Sequence, residues 1–415
     1  MEDVKKCIME AVNRERLIQL CLDLTNISTP TGGEQPAAEY MFKVFSEMGL
    51  KAFLQEVSTD RCNAIGILKG SDGKKRLMFN GHMDTSYTGE EQELGEAYKA
   101  NASLKGDWIF GMGVYNMKSA LAAYVGAVEA LQKAGVSLKG DVLIAAVVGE
   151  IEKAAVDRYQ GPEYAGYGSG ARHLITHGVT ADMCILGEPT GLDIHPGGMG
   201  TTWARITTFG GMAHTQYADT AVNSILKMME IQKALIDWIP GYRNRNEYGG
   251  LKPQVSIAAI EGGWPWRASR TPAECHLYVD IRTNPERPII DVQREVEDLV
   301  KEVMTHDREV RAEVDWYVSV PGNVLDADHE LMEVMKNSHQ KVVGKPVRIG
   351  FKGGCNDASH LSRYGIPTIQ YGPSGRVMGK DAFGWAPGLG EHQSVDDLVA
   401  CTKVYALAAY EICSK

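Results

Sequence analysis

Residues 77–85 read Leu77-Met78-Phe79-Asn80-Gly81-His82-Met83-Asp84-Thr85, an apolar run that ends in Gly-His-x-Asp-Thr. The run from Leu77 to Phe79 has the character of a buried strand. A buried parallel strand delivers its last side chains to the carboxyl edge of the sheet, where α/β folds bind ligands. A neutral imidazole there suits a metal, and a nearby carboxylate commonly holds its other ring nitrogen. One His-x-Asp pair also fits a hydrogen-bonded structural histidine, so the remaining strands have to supply matching ligands. Two of them do. Asp141 to Val148 is a continuous apolar run ending in Gly149-Glu150-Ile151-Glu152, and Met183 to Leu186 ends in Gly187-Glu188-Pro189-Thr190. Three buried strands ending at His or Glu on one sheet edge point to a metal site more strongly than any one of them.

Working outward, Val4 to Leu24 is helix-periodic and Gln35 to Met48 reads as a second amphipathic helix. Lys51 to Glu56 and Asn63 to Leu68 read as strands, and Thr85 to Gly111 is too irregular to assign. Gly111-Met112-Gly113-Val114-Tyr115-Asn116-Met117-Lys118 then opens a helix of small and apolar residues reaching about Ala134. Its Gly-x-Gly lacks the third glycine and the acidic strand end of a dinucleotide fingerprint, so its glycines are read as room for backbone beside a ligand. After Gly197 the pattern changes. Thr201 to Phe209 (strand), Asn223 to Trp238 (helix), Gln254 to Ile260 and Glu274 to Ile281 (strands), Ile290 to Met304 (helix) and Ala312 to Val320 (strand) follow in ferredoxin-like order. From about Pro321 the α/β pattern returns, and the last helix starts at the cap Ser394-Val395-Asp396-Asp397. The expected fold class is α/β: a mixed, largely parallel sheet with helices on both faces. Residues 1–196 and 321–415 form the catalytic domain, and 197–320 an inserted ferredoxin-like lid or dimerisation domain.

The 415 residues are enough for two domains, and 44% hydrophobic and 23% charged residues describe an ordinary globular chain. A net charge of −10 with no Lys/Arg block excludes nucleic acid and anionic membrane surfaces as expected partners. Met1 to Gln19 carries charges throughout, and no apolar run is long enough to span a bilayer, so a cytoplasmic location is expected. The eight cysteines are scattered without a Cys-x-x-Cys pair, which fits reduced thiols.

Gly-His-x-Asp-Thr, Gly-x-Gly-x-x-Asn-Met-Lys, Val-Val-Gly-Glu, Gly-Glu-Pro-Thr, Gly-x-x-x-His and the late Glu391-His392 occur in order over nearly the whole chain. Together they resemble the metalloaminoacylase family of zinc aminopeptidase-like fold. That family includes acetylornithine deacetylase, succinyl-diaminopimelate desuccinylase, aminoacylase and glutamate carboxypeptidase. The resemblance implies two zinc ions in the large domain and a small domain that serves as lid and dimerises. It makes His82 and Glu188 ligands of the first metal, Asp84 the orienter of His82, His392 a ligand of the second metal and Glu150 the general base. His214, in Gly211-Met212-Ala213-His214, matches a lid histidine that reaches a neighbouring subunit's site. Arg282 and Asn223 match lid positions that often contact substrate, although both also fit lid-surface residues, and a lid histidine such as His214 can also simply cap a turn.

Two departures stand out. The family's bridging Asp is here Asn116, and its second glutamate is Ile151. Two divalent ions about 4 Å apart repel by roughly 17 kcal/mol at an effective dielectric of 20, before ligands compensate. With an amide and an isoleucine in place of two anions, one labile divalent transition metal (Zn, Mn or Co) is expected, held by His82 and Glu188 with Asn116 or His392.

The expected chemistry is metal-assisted hydrolysis of a C–N bond in a small carboxylate-bearing substrate of the N-acyl amino acid type. Glu150 moves the proton and His214 offsets developing negative charge. Arg376, in Pro373-Ser374-Gly375-Arg376, is a candidate clamp for the substrate carboxylate. An alternative chemistry is that of an aromatic aminohydrolase of the 5-nitroanthranilate type, in which hydroxyl replaces an aryl amine. A non-catalytic ligand-binding homologue is the alternative from another class, but it leaves Glu150, a desolvated acid, without a use. Trp264 and Trp266 suit lid packing or an aromatic pocket, and Cys355 a buried thiol.

Overall fold

The computed structural model describes residues 2–91, 99–373 and 391–414, together with the backbone of 375–377. The chain divides into two compact units. The larger joins Met1–Gly197, Leu325–Gly350 and Asn356–Lys415, and the smaller joins Gly198–Val324 with Phe351–Cys355.

The larger unit is built on a six-stranded sheet in the order Lys51–Ser58, Arg61–Leu68, Asp141–Val147, Arg76–His82, Met183–Leu186, Thr368–Gln370. The first two pairings are antiparallel and the last three parallel, so this is the mixed, largely parallel sheet expected. Leu77 and Phe79 face one layer of core and Met78 the opposite layer, as the two-residue period of a strand requires. The first face is covered by Gln35–Glu47, Ser119–Lys133 and Val395–Cys413, the second by Ser169–Thr176 and Asp357–Arg363. Ser119–Lys133 is buried almost all round, which its run of alanines permits. Gly81 is demanded by this packing: a Cβ there would lie 2.8 Å from Met117 Cε and 3.0 Å from Leu121 Cδ2.

Register fixes the site. His82 pairs with Val147 and Asn80 with Leu186, so three strands end side by side, each followed within three residues by a Glu or ending in the His itself.

Three local readings change. The first helix is two, Glu2–Ala11 and Arg14–Asn26, because Asn13 accepts the Arg16 N–H at 3.0 Å and caps a new start. The helix after Asn223 runs on through Pro240 to Arg245, its last turns tied down by buried Tyr242, whose hydroxyl donates to Arg282 O at 2.7 Å. His392 lies in a strand rather than a loop. Glu391–Ser394 pairs with Trp108–Phe110 and Gly375–Val377, and Trp108–Phe110 pairs also with Ser103–Lys105, inside the irregular segment between Thr85 and Gly111. These ladders join segments far apart in sequence, which local patterns do not register.

The smaller unit carries its own four-stranded antiparallel sheet, ordered Val255–Gly262, Glu274–Thr283, Gly200–Phe209, Ala312–Val320. With helices Ser224–Arg245 and Ile289–His306 this is the β-α-β-β-α-β ferredoxin-like arrangement. Phe351–Cys355 joins it through the Met199 N–H to Lys352 O bond (3.0 Å) and the contact of Phe351 with Tyr248.

Candidate metal centre

His82 ends its strand fully buried. Its Nδ1 lies 2.9 Å from the Asp84 carbonyl and 3.4 Å from an Asp84 carboxylate oxygen. With Nδ1–H donated to that carbonyl, Nε2 faces three oxygens: Asn116 Oδ1 at 3.2 Å, Glu150 Oε2 at 3.6 Å and Glu188 Oε1 at 3.9 Å. Burial opposes charge on His82, but Glu150 foremost, then Asp84 and Glu188, outweigh it and hold its pKa well above the ordinary value. Burial, with Glu188 next, pushes the Glu150 carboxyl well up. A site that raises both a base and an acid in this way favours a cation between them.

One ligand atom from each of buried His82, Glu150 and Glu188 falls within 4.8 Å of the others. The His82 imidazole and the Glu188 carboxylate offer a nitrogen and an anionic oxygen, with the Glu150 carboxylate beside them, an N/O set of the kind that holds divalent transition metals. The residues present therefore fit a divalent metal, which would replace the proton on Nε2.

Asp84 does more than orient His82. Its own backbone carbonyl is the nearer partner of Nδ1, while its carboxylate accepts the Glu150 N–H (3.0 Å), the Ile151 N–H (3.1 Å) and the Thr31 hydroxyl (2.9 Å). Burial works against ionisation of Asp84, but His82 and these donors prevail and lower its pKa. The carboxylate thus pins the Glu150 turn to the His82 strand. A second clamp, missed in the sequence, supports the same turn. Buried Glu34 accepts Gly149 N–H (3.1 Å) while paired with buried Arg61 (2.6 Å).

Asp357 is a further acid that the sequence reading passed over. It is fully buried, and among the described residues neither carboxylate oxygen has a hydrogen-bond partner. Burial pushes its pKa up to about 7; His82 opposes this, and Glu188 and Asp84 add to it. Its sequence signal, an Asp following Gly353-Gly354-Cys355-Asn356, looks like an ordinary helix start, with Asn356 as the cap.

Not every expected residue joins this group. His392 stacks on Phe110 (centroids 5.5 Å apart) and meets the edge of Trp108, and it lies outside the three-residue group of ligand atoms. His214, Asn223 and Arg282 belong to the smaller unit. His214 Nδ1 accepts Gln216 N–H at 3.2 Å, and Asn223 Oδ1 caps its helix by accepting Ile225 N–H at 3.0 Å. The Arg282 guanidinium is paired with Asp280, at 3.0 and 2.8 Å. Arg376 pairs with His392 through its backbone, and its side chain lies outside the described residues. Cys355 is a buried thiol.

The sequence pattern of peptidase family M20/M25/M40 matches residues 78–411, from the His82 strand into the last helix. The chain belongs to that family. Family M20 proteins hold divalent metals, often as a dinuclear pair, and this chain is a metal-dependent hydrolase. It is similar to the N-formyl-4-amino-5-aminomethyl-2-methylpyrimidine deformylase of Halalkalibacterium halodurans, 25% identical over 97% of this chain and 95% of that protein. It is also similar to the succinyl-diaminopimelate desuccinylase of Gluconacetobacter diazotrophicus, 27% identical over 80% of this chain and 79% of that one. The fold is shared with a tripeptidase from Staphylococcus aureus at a TM-score of 0.75 and 17% identity, covering 97% and 100% of the two chains. Among the described residues no helix is long and apolar enough to cross a membrane.

Proposed function

We propose that this M20 protein hydrolyses the C–N bond of a small N-acyl compound bearing a carboxylate, with a single labile divalent metal. The observation that carries the reading is the buried His82–Glu150–Glu188 group beside Asn116 and Ile151, where the resemblance calls for two further anions. Relatives named as a deformylase and a desuccinylase, which remove acyl groups from nitrogen, support the amide class.

His82 and Glu188 would hold the metal, with the Asn116 carbonyl completing the set. When bound, the metal supplies a Lewis acid that makes water a nucleophile near neutral pH. Glu150, desolvated and with its turn pinned by Asp84, takes the proton from water as C–O forms and the carbonyl π bond opens, then returns it to the leaving nitrogen as the carbonyl re-forms and C–N breaks. Asp84's carbonyl keeps the Nδ1–H tautomer of His82 and so leaves Nε2 free for the metal. His214 has the tautomer a charge-offsetting donor needs: its Nδ1 is already an acceptor, so the ring proton sits on Nε2. Assembly as a homodimer through the smaller unit is supported by exposed Ile260 on an outer strand and exposed Leu226 and Met229 on its helix. Replacement of an aryl amine by hydroxyl is the rival chemistry, favoured by the same loss of the anions at 116 and 151.

The test is release of the amine from N-formyl and N-succinyl substrates, and of ammonia from amino-benzoates, by metal-loaded protein. Turnover confined to the amides supports the reading, and turnover confined to the aryl amines replaces it.

A further inference from the structure

Asn116 is presented to His82 by an irregular turn, residues 114–118, in which Asn116 and Met117 have non-helical backbone angles. Its own backbone closes it through Val114 N–H to Gly111 O (3.2 Å) and Lys118 N–H to Gly113 O (2.9 Å), bonds that leave the N–H groups of Gly113, Tyr115 and Asn116 to another acceptor. That acceptor is a carboxylate from the far end of the chain. Glu391 Oε2 accepts the N–H of Gly113 at 3.0 Å, of Tyr115 at 3.2 Å and of Asn116 at 3.2 Å. Three N–H groups converging on one anionic oxygen form an anion nest filled by the protein itself, and such charge-assisted bonds are stronger than neutral ones.

Glu391 is in turn anchored by backbone. Its carbonyl accepts Gly111 N–H at 3.1 Å, and the next residue, His392, pairs with Phe110. One residue therefore grips the turn on both sides of Met112. The turn is also packed from the strand side. Gly113 has φ +81°, and a Cβ on it would lie 2.7 Å from Thr85 Cγ2 and 3.1 Å from Lys118 Cδ. Lys118 is itself buried, its Nζ donating to Ile27 O at 2.7 Å. Thr85 leaves no space for a side chain at Gly113, Glu391 holds the other side of the turn, and Asn116 Oδ1 lies 3.2 Å from Nε2 of His82.

We propose that Glu391 is a positioning residue of the metal centre, setting the Asn116 amide oxygen against His82 through the three backbone N–H groups it holds. This rests on the reading of Asn116 as a metal ligand. Glu391 touches neither metal nor substrate in this role; it acts through Asn116 alone.

The experiment measures Mn²⁺ affinity of the metal-stripped full chain against a chromogenic chelator, with folding checked by circular dichroism. Glu391→Ala should weaken affinity by about 10- to 100-fold, the range for residues that orient a ligand. Asn116→Ala should weaken it at least as much, and the double variant should bind no more weakly than Asn116→Ala. Losses that multiply in the double variant overturn the proposal. Glu391→Asp covers the case in which Glu391→Ala fails to fold. It keeps the charge but withdraws the oxygen by one methylene, so it should weaken affinity when Asn116 is present and have no effect in the Asn116→Ala background. Wild-type affinity in Glu391→Asp would show that charge rather than position matters, and overturns the proposal. Unchanged affinity in Asn116→Ala alone would instead remove Asn116 as a ligand, and the proposal with it.

Discussion

His82, Glu150 and Glu188 follow neighbouring parallel strands, whereas Asn116 comes from a turn with no ladder. The first three are placed by sheet register, with His82 opposite Val147 and Asn80 opposite Leu186, so their positions draw on the packing of the whole core. Asn116 depends on a few hydrogen bonds that its turn donates to the Glu391 carboxylate. The two halves should therefore fail differently. Changes among the strand-end residues should alter chemistry or ligation with the fold intact, and changes around the turn should loosen the metal by moving one ligand.

The largest effect should come from the strand-end half. Glu150→Gln keeps the shape and the backbone bond to Asp84 but removes the base, and turnover at saturating metal should fall by roughly 10²–10⁴. Metal affinity should stay within a few-fold. If affinity collapses while turnover at saturating metal survives, Glu150 is a ligand and not the base.

Asp84→Asn should come next. The Asp84 carbonyl still holds His82, yet the clamp on Glu150 and Ile151 loses its charge and part of its acceptor capacity. A loss of about 10–100-fold in metal affinity is expected by chelator competition. An unchanged affinity would show that the carbonyl alone suffices.

The last effect is one of pH and is read in stability rather than in metal binding. Asp357 titrates at about 7 in the folded chain against an ordinary 3.8, so the folded state binds its proton more tightly than the unfolded state. The stability tied to that proton is fully present below pH 3.8 and is lost as pH rises through 7. Each unit of such a shift is worth about 1.4 kcal/mol, and relaxation of the site makes the sum an upper bound. In metal-stripped protein, the melting temperature of the Asp357→Asn variant should gain on the parent between pH 4 and 7.5. Parallel curves for the two proteins would contradict this.

The same contrast governs what could be read from sequence. Each strand end announced itself, because an apolar run followed by glycine and an acid is a local pattern. So did the ferredoxin-like order of the inserted segment. Glu391 gave no such signal: its partner Asn116 lies 275 residues away, and beside His392 it looked like a neighbour of a ligand. Asp357 was masked by its place at a helix start, and the Glu34–Arg61 pair by the habit of such pairs to sit on surfaces. His392, expected in a loop, lies in a strand and stacks on Phe110, because its partner strands are far away in sequence. Chemistry held by the sheet is written locally, and chemistry held by long-range hydrogen bonds is not.

The central claim is a single metal, and a count of it is the most direct test. Protein loaded with excess Mn²⁺ or Zn²⁺, passed through a desalting column and analysed by elemental mass spectrometry should retain no more than one ion per chain. The Asn116→Asp, Ile151→Glu double variant, which restores both anions, should move toward two. Two ions retained by the unmodified chain would contradict the account.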